Sequence, residues 1–163
     1  MEITLKDLRT LLNNKDALEK YTINIDIVKK DINSTAEIWT DGAYKPSTNQ
    51  GGWAIVTKEG TTQFGGVKDT TNNRMELTAV IEAIKLFDNA KYDKCIIYSD
   101  SQYVISTINK GWKKNKNCDL WDIFDNLDIS NITFVWVKGH DGNIMNEKAD
   151  ELAVRGSELF IPN

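Results

Sequence analysis

A chain of 163 residues has room for one ordinary domain and a short appendage, and with 40% apolar and 27% charged residues it is too hydrophobic to be intrinsically disordered. Charges interrupt every apolar run before the roughly 20 residues that a spanning helix needs, and Met1-Glu2-Ile3-Thr4 lacks the basic-then-apolar order of a secretory signal, so no membrane partner and a cytoplasmic setting are expected. A net charge of −4 offers no general attraction for nucleic acid, and two cysteines, Cys95 and Cys118, without CxxC spacing and beside a single histidine, argue against a zinc site or a disulfide framework.

Residues 1–34 read as an N-terminal extension of unassigned role, without a recognisable catalytic constellation. Thr4 with Asp7 resembles a capping box, and Leu5, Leu8, Leu11, Leu12 and Leu18 recur at helical spacing. Ile23, Ile25 and Ile27 then alternate with Asn24 and Asp26, the period of a half-buried strand, before Asn33-Ser34 punctuates the chain. The six basic and six acidic residues of this extension cancel, so it carries no electrostatic pull of its own.

Residues 35–160 read as one catalytic domain, with 161–163 as a tail. A strand runs from Ala36 through Ile38-Trp39-Thr40, a loop holds Pro46, and Gly51-Gly52 leads into Trp53-Ala54-Ile55-Val56. The turn Lys58-Glu59-Gly60 and the β-prone stretch Thr61 to Val67 complete a three-stranded meander. A helix follows, capped by Asn72 or Asn73. Its residues Met75, Leu77, Val80, Ile81, Ile84 and Phe87 cover most of its circumference, which predicts burial in the middle of the domain. Cys95-Ile96-Ile97-Tyr98 suits a central strand covered on both faces. Ser101 to Asn109 reads as a helix, followed by Lys110, Lys113, Lys114 and Lys116 around Trp112 and a helix from Asp119 to Leu127. Ile132 to Val137 is a last strand, and Asn146 caps a last helix. The order β-β-β-α-β-α-α-β-α predicts an α/β fold with helices packed on a mixed sheet. No internal repeat or low-complexity tract interrupts it.

Four acids sit where a fold gains little from them: Asp41 beside strand residues, Glu76 on an apolar helix, Asp100 ending an apolar strand, and Asp150 near the start of the last helix. Each has a bland reading on its own. Asp41-Gly42 is a possible turn, Asp100 a possible cap for the helix at Ser101, and Glu76 and Asp150 possible complements to helix dipoles. Taken together, with Asp41 and Asp100 on neighbouring strand ends, they would converge, and a cluster of carboxylates repels itself unless cations occupy it.

The segments Thr40-Asp41-Gly42, Thr70-Thr71-Asn72-Asn73-Arg74-Met75-Glu76-Leu77, Ser99-Asp100-Ser101-Gln102-Tyr103-Val104, Asp119-Leu120-Trp121, Trp136-Val137-Lys138-Gly139-His140 and Asn146-Glu147 through Asp150-Glu151-Leu152-Ala153 resemble, in order, the signatures of type 1 ribonuclease H. The resemblance covers about residues 36–158. It implies the RNase H-like fold, a five-stranded sheet of three antiparallel and then parallel strands with helices on both faces. It also implies an endonuclease that cuts the RNA strand of an RNA–DNA hybrid, acting as a monomer. Asp41, Glu76, Asp100 and Asp150 are then the ligands of two Mg²⁺ ions, for which Mn²⁺ is a substitute, and the products carry 5′-phosphate and 3′-hydroxyl ends. His140 falls in the family's mobile loop, with a part in proton transfer or product release. Asn72, Asn73 and Glu76 correspond to the minor-groove contacts that read the 2′-hydroxyl, and Gln102 to a further substrate contact. Thr71 and Asn117 correspond to a pocket for a phosphate of the DNA strand. Trp112, with Lys113 and Lys114, either lies along that strand or, in the case of the indole, belongs to the core.

The chain departs from the family pattern in three places. Between Tyr103 and Asp119 it is shorter than relatives that carry a long basic protrusion. Asp69, beside Lys68, stands where those relatives often place a pocket arginine. The loop after Gly42 is not glycine-rich, leaving Ser47 or Asn49 for an expected asparagine. Rival readings are a catalytically silent module that binds hybrid or protein, a reverse-transcriptase-derived RNase H domain, and a nuclease of DNA junctions. The intact acids weigh against the first and the Asn72-Asn73 pair against the last, because DNA has no 2′-hydroxyl to read.

Overall fold

A computed structural model describes residues 34–160. The helix and strand expected within the first 33 residues, and the tail 161–163, lie outside the described residues. Five strands, β1 (Thr35–Lys45), β2 (Gln50–Thr57), β3 (Thr62–Lys68), β4 (Lys94–Ser99) and β5 (Ile132–Trp136), form one sheet in the order β3-β2-β1-β4-β5. The first three pair antiparallel, and β4 and β5 extend the sheet in parallel. Four helices pack on it: α1 (Asn72–Leu86), α2 (Gln102–Lys110), α3 (Cys118–Asp125) and α4 (Ile144–Ser157).

Alternation along the strands divides the core in two. Ile38, Ile55, Ile97 and Phe134 face a large cluster that contains Leu77, Val80 and Ile84 of α1, Val104 and Ile105 of α2, and Trp121 and Phe124 of α3. Trp39, Ala54 and Val56 point the other way, onto Ala149, Leu152 and Ala153 of α4. Side chains one residue apart on a strand serve opposite faces, so the sheet is covered on both sides, as the sequence predicts. Full burial of side chains as large as these stabilises by about 1.5–3 kcal/mol each. Trp121 keeps its polar handle satisfied, since Nε1 donates to Tyr103 Oη at 3.0 Å.

The local corrections concern ends. β1 does not stop at Thr40 but continues to Lys45, because Asp41–Lys45 pair with Gln50–Ala54 in the hairpin ladder. Asp41 therefore lies within a strand, and only Pro46–Asn49 form the turn. Thr71, rather than Asn72 or Asn73, caps α1: its backbone is extended and its hydroxyl accepts from Arg74 N at 3.4 Å. Ser101, rather than Asp100, caps α2. Asn143 caps α4 by accepting from the N–H groups of Met145 and Asn146, each at 3.1 Å, which moves Asn146 inside the helix. α3 runs Cys118–Asp125, two residues short of the expected Leu127.

Candidate active site

The parallel register of β1 and β4 ends at Thr40 opposite Ser99, so the residues that follow, Asp41 and Asp100, leave the ladder side by side. Glu76 reaches the same place from the second turn of α1, which crosses directly over β1 at Gly42. A Cβ at Gly42 would be driven into the backbone of Glu76 and Met75, so only glycine permits the approach. One carboxylate oxygen from each of Asp41, Glu76 and Asp100 lies within 4.8 Å of the others. Asp41 and Glu76 are 4% and 5% exposed, far below the usual exposure of carboxylates. Asp150, in the second turn of α4, is half-buried; it falls outside that tight group but borders Asp41 and adds to its repulsion.

The electrostatic result is severe. Burial raises the Asp41 carboxyl to about 8, repulsion from Asp100 and Asp150 adds to the rise, and donation from Gly42 N to Oδ1 at 2.9 Å opposes it. Glu76 is pushed well above the ordinary carboxylate range, first by burial and then by Asp41 and Asp100, with the Asn72 amide opposing. Glu76 Oε2 is buried without a hydrogen-bond partner, and so is Asn146 Oδ1, whose amide nitrogen lies 3.5 Å from Asp100 Oδ2. An all-oxygen donor set with an unpartnered buried carboxylate oxygen and mutual repulsion fits a hard divalent cation and suits a soft metal poorly.

Around this cluster the other sequence candidates take up varied positions. His140 is exposed, in the left-handed region at φ 52°, within the Gly139–Gly142 turn. Asn72 and Asn73 open α1 on its exposed side, and Asn72 Nδ2 lies 3.4 Å from Glu76 Oε1. Asn117, also left-handed at φ 56°, donates to Tyr103 Oη at 3.1 Å. Trp112 is 50% exposed, which removes it from the core. Lys113 and Gln102 are exposed, whereas Lys114 pairs with Asp125 at 2.5 Å and lies over the rings of Trp121 and Phe124. Asp69 accepts from Asn49 Nδ2 at 3.4 Å, and Ser47 is exposed in the turn between β1 and β2.

Three residues that the sequence reading leaves out are joined to this region. Arg74 grips Asp119 through two bonds, at 2.9 and 2.6 Å, and reaches Asn117 Oδ1 at 3.5 Å. Tyr103 ties Asn117 to Trp121. Gly139 lies against Asp100, where a Cβ would stand 2.7 Å from Oδ2. Each occurs inside a quoted motif, but its partner is distant in sequence.

Residues 33–158 match the family model described as RNase H. The chain belongs to the RNase H family. It is 45% identical over 141 residues to a protein of Dechloromonas aromatica (strain RCB) named Ribonuclease H, covering 76% of this chain and 94% of that one. It is 42% identical over 148 residues to Ribonuclease HI of Neisseria meningitidis (serogroup A), covering 79% and 99%. With Ribonuclease H of Cupriavidus pinatubonensis the identity is 44% over 138 residues, covering 73% and 92%. Among the described residues no helix is long and apolar enough to cross a membrane.

Proposed function

We propose that the protein is a ribonuclease H that hydrolyses the RNA strand of RNA–DNA hybrids, with residues 35–160 as its catalytic domain and a cytoplasmic monomer as its working form. The observation that carries this reading is the close group of buried Asp41 and Glu76 with half-buried Asp100, present in a chain that matches the family over most of its length. With Asp150 these acids would hold two Mg²⁺ ions, or Mn²⁺ in their place. Ions held there would supply activation of a water and charge stabilisation for an in-line displacement at phosphorus, which would leave 5′-phosphate and 3′-hydroxyl ends.

The chain's own residues would do the recognition. Asn72 and Asn73 project amides from the exposed start of α1, and with Glu76 they offer both donors and acceptors to a 2′-hydroxyl. The start of α1 at Thr71 and the start of α3 at Asn117 are brought together by Arg74, so two helix N-termini flank the place assigned to a DNA-strand phosphate. Trp112 and Lys113 lie exposed beyond α2, on the proposed path of the DNA strand, with Gln102 nearer the acids. His140, on its exposed turn, is free to approach a scissile group and to carry a proton or assist product release.

The test is a labelled 20-base-pair-scale substrate set: hybrid, duplex DNA, duplex RNA and single-stranded RNA, each with Mg²⁺ and with chelator. Cleavage of the hybrid's RNA strand alone, only with the ion, is the expected result. Equal cutting of duplex RNA, or cutting in chelator, overturns the reading.

A further inference from the structure

A cleft runs along the outer side of α2 and has one end beside the acids. It measures about 350 Å³ and is floored by Gln102, Ile105, Ser106 and Asn109, with Lys110, Trp112 and Trp136 completing its lining. The floor residues are spaced i, i+3, i+4 and i+7, a single stripe of the helix. The two indoles are 50% and 44% exposed for Trp112 and Trp136. Trp136 is fixed at the acidic end by donation from Nε1 to Asp100 O at 3.0 Å. Trp112 is delivered to the other end by Gly111, whose φ of 65° ends α2 and turns the chain outward. Asn109 donates to Phe134 O at 3.0 Å and so closes the gap between α2 and the edge strand β5.

We propose that this cleft binds a short unpaired stretch of nucleic acid that adjoins the hybrid, with bases resting on the indoles of Trp112 and Trp136. The inference rests on the reading of the protein as a hybrid nuclease and extends the strand path assigned to Trp112 and Gln102 to nucleic acid that has left the duplex. Three features favour this occupant. Aromatic faces recognise bases that are out of the stack, whereas the bases of a duplex are covered by their neighbours. A volume near the lower end of small-molecule sites suits a nucleoside-sized group, and the amides of Gln102 and Asn109 give a base edge donors and acceptors. Charge points the same way: Lys110, Lys113 and Lys116 make no ion pair among the described residues, in contrast to Lys114, and they surround Trp112 within seven positions of chain. Such lysines are available to the phosphates of a strand laid across the cleft.

The bond from Trp136 to the backbone of Asp100 places the cleft next to the acids, so the unpaired stretch would begin close to the end of the paired substrate. The enzyme would then favour hybrids that border single strands over long uninterrupted ones. A protein peptide is the competing occupant for an aromatic cleft, and the experiment separates the two.

The full chain is assayed on one hybrid core made blunt or carrying a three-nucleotide overhang on each of its four strand ends in turn, RNA or DNA, 5′ or 3′. At least one overhang is expected to lower KM roughly fivefold or more, the scale of one base stacked on an aromatic ring. Ser106→Phe, which fills the cleft, and Trp112→Ala, which removes one indole, should each bring the ratio of overhang to blunt substrate back to one. In chelator, a short single-stranded oligonucleotide should quench tryptophan fluorescence of the wild type, less that of Trp112→Ala, and not that of Ser106→Phe, in which the cleft is filled. If blunt and overhanging hybrids are cut with the same KM, or the preference survives Ser106→Phe, the cleft does not hold unpaired nucleic acid, and a peptide is left as its occupant. Failure to cut any hybrid would strike the proposed function instead; the fluorescence arm still reports on the cleft.

Discussion

Gly139 packs so closely on the carboxylate of Asp100 that a methyl group built there would stand 2.7 Å from Oδ2 and 3.5 Å from Cγ. Its φ is not among the positive values, so alanine meets no conformational strain there, only the carboxylate. Gly139→Ala should therefore displace Asp100 by several tenths of an ångström while leaving the fold intact. Hybrid cleavage is expected to fall about 10- to 100-fold, the range seen when groups supporting a metal ligand are disturbed. Single-turnover rates in Mg²⁺, with thermal unfolding as a control for folding, check this. A full rate would mean that the carboxylate can shift without consequence.

That contact also marks how far the sequence could be read. The three acids of the tight cluster stand out in the sequence because each interrupts an apolar element, and the strand order follows from runs and spacings that act locally. Helix caps were less legible. Thr71 and Asn72, or Asn143 and Asn146, are all capable caps, and the choice depends on which residue leaves helical geometry, a matter settled by how the preceding loop docks. The extent of β1 is not legible in the sequence for a related reason, since residues 41–45 are held in a strand by partners across the hairpin and not by their own propensity. Arg74 carries no local signal because its partners, Asn117 and Asp119, are 43 and 45 positions away.

Arg74 carries the next prediction. Its two bonds hold the Asp119 carboxyl down to about 2 from an ordinary 3.8. A depressed folded value means stability that is present above the ordinary value and lost as pH falls toward 2. Because the Asp119 side chain is 62% exposed, solvent screening limits the pair to roughly 0.2–1 kcal/mol. Arg74→Ala should thus cost little stability, but it frees Asn117 and should raise KM for hybrid several-fold with kcat nearly unchanged. Arg74→Lys should fail to restore KM, since one ammonium cannot serve Asp119 through two bonds and Asn117 as well. Michaelis parameters for the three proteins, with a double-mutant cycle at positions 74 and 119, test this. An unchanged KM for Arg74→Ala would show that Asn117 needs no such support.

The role of the extension, residues 1–34, can be tested by removing residues 1–33, one short of its proposed end because Ser34 is bonded to the domain. The match to the family begins at residue 33. Ser34 is anchored to the domain, its carbonyl accepting from Asp93 N at 3.1 Å and Lys94 N at 3.4 Å. Among the described residues both core clusters are built from Ala36 onward. The shortened protein should fold cooperatively and cut a short hybrid at a rate within about twofold of the full chain, judged by far-ultraviolet circular dichroism and initial rates, since the acids and nearly all of the family match lie in the residues that remain. Loss of the cooperative transition would show that the extension completes the core.

The last prediction joins stability to the site. In the metal-free protein the Asp41 carboxyl is raised to about 8 by burial and by its acidic neighbours. Between roughly pH 4 and pH 8 the unfolded chain has released this proton while the native state retains it. The native state binds more protons over that range, so stability is greatest below the ordinary value and declines as pH rises toward 8. Asp41→Asn keeps an oxygen to accept from Gly42 N and removes the charge. It should flatten this decline and add about 1–2 kcal/mol at neutral pH, a typical gain for relieving a functional-site conflict. Mg²⁺ should have the opposite preference. It would stabilise the wild type by binding the native state, about 2.7 kcal/mol at an ion concentration of 100 Kd, and would help the Asn variant much less. It also favours the ionised carboxylate, so the decline toward pH 8 should vanish in its presence. Thermal unfolding of both proteins from pH 5 to 8.5, in chelator and in millimolar Mg²⁺ at low salt, reads all of these effects. If wild type and variant melt alike under every condition, the carboxylates share neither their repulsion nor an ion.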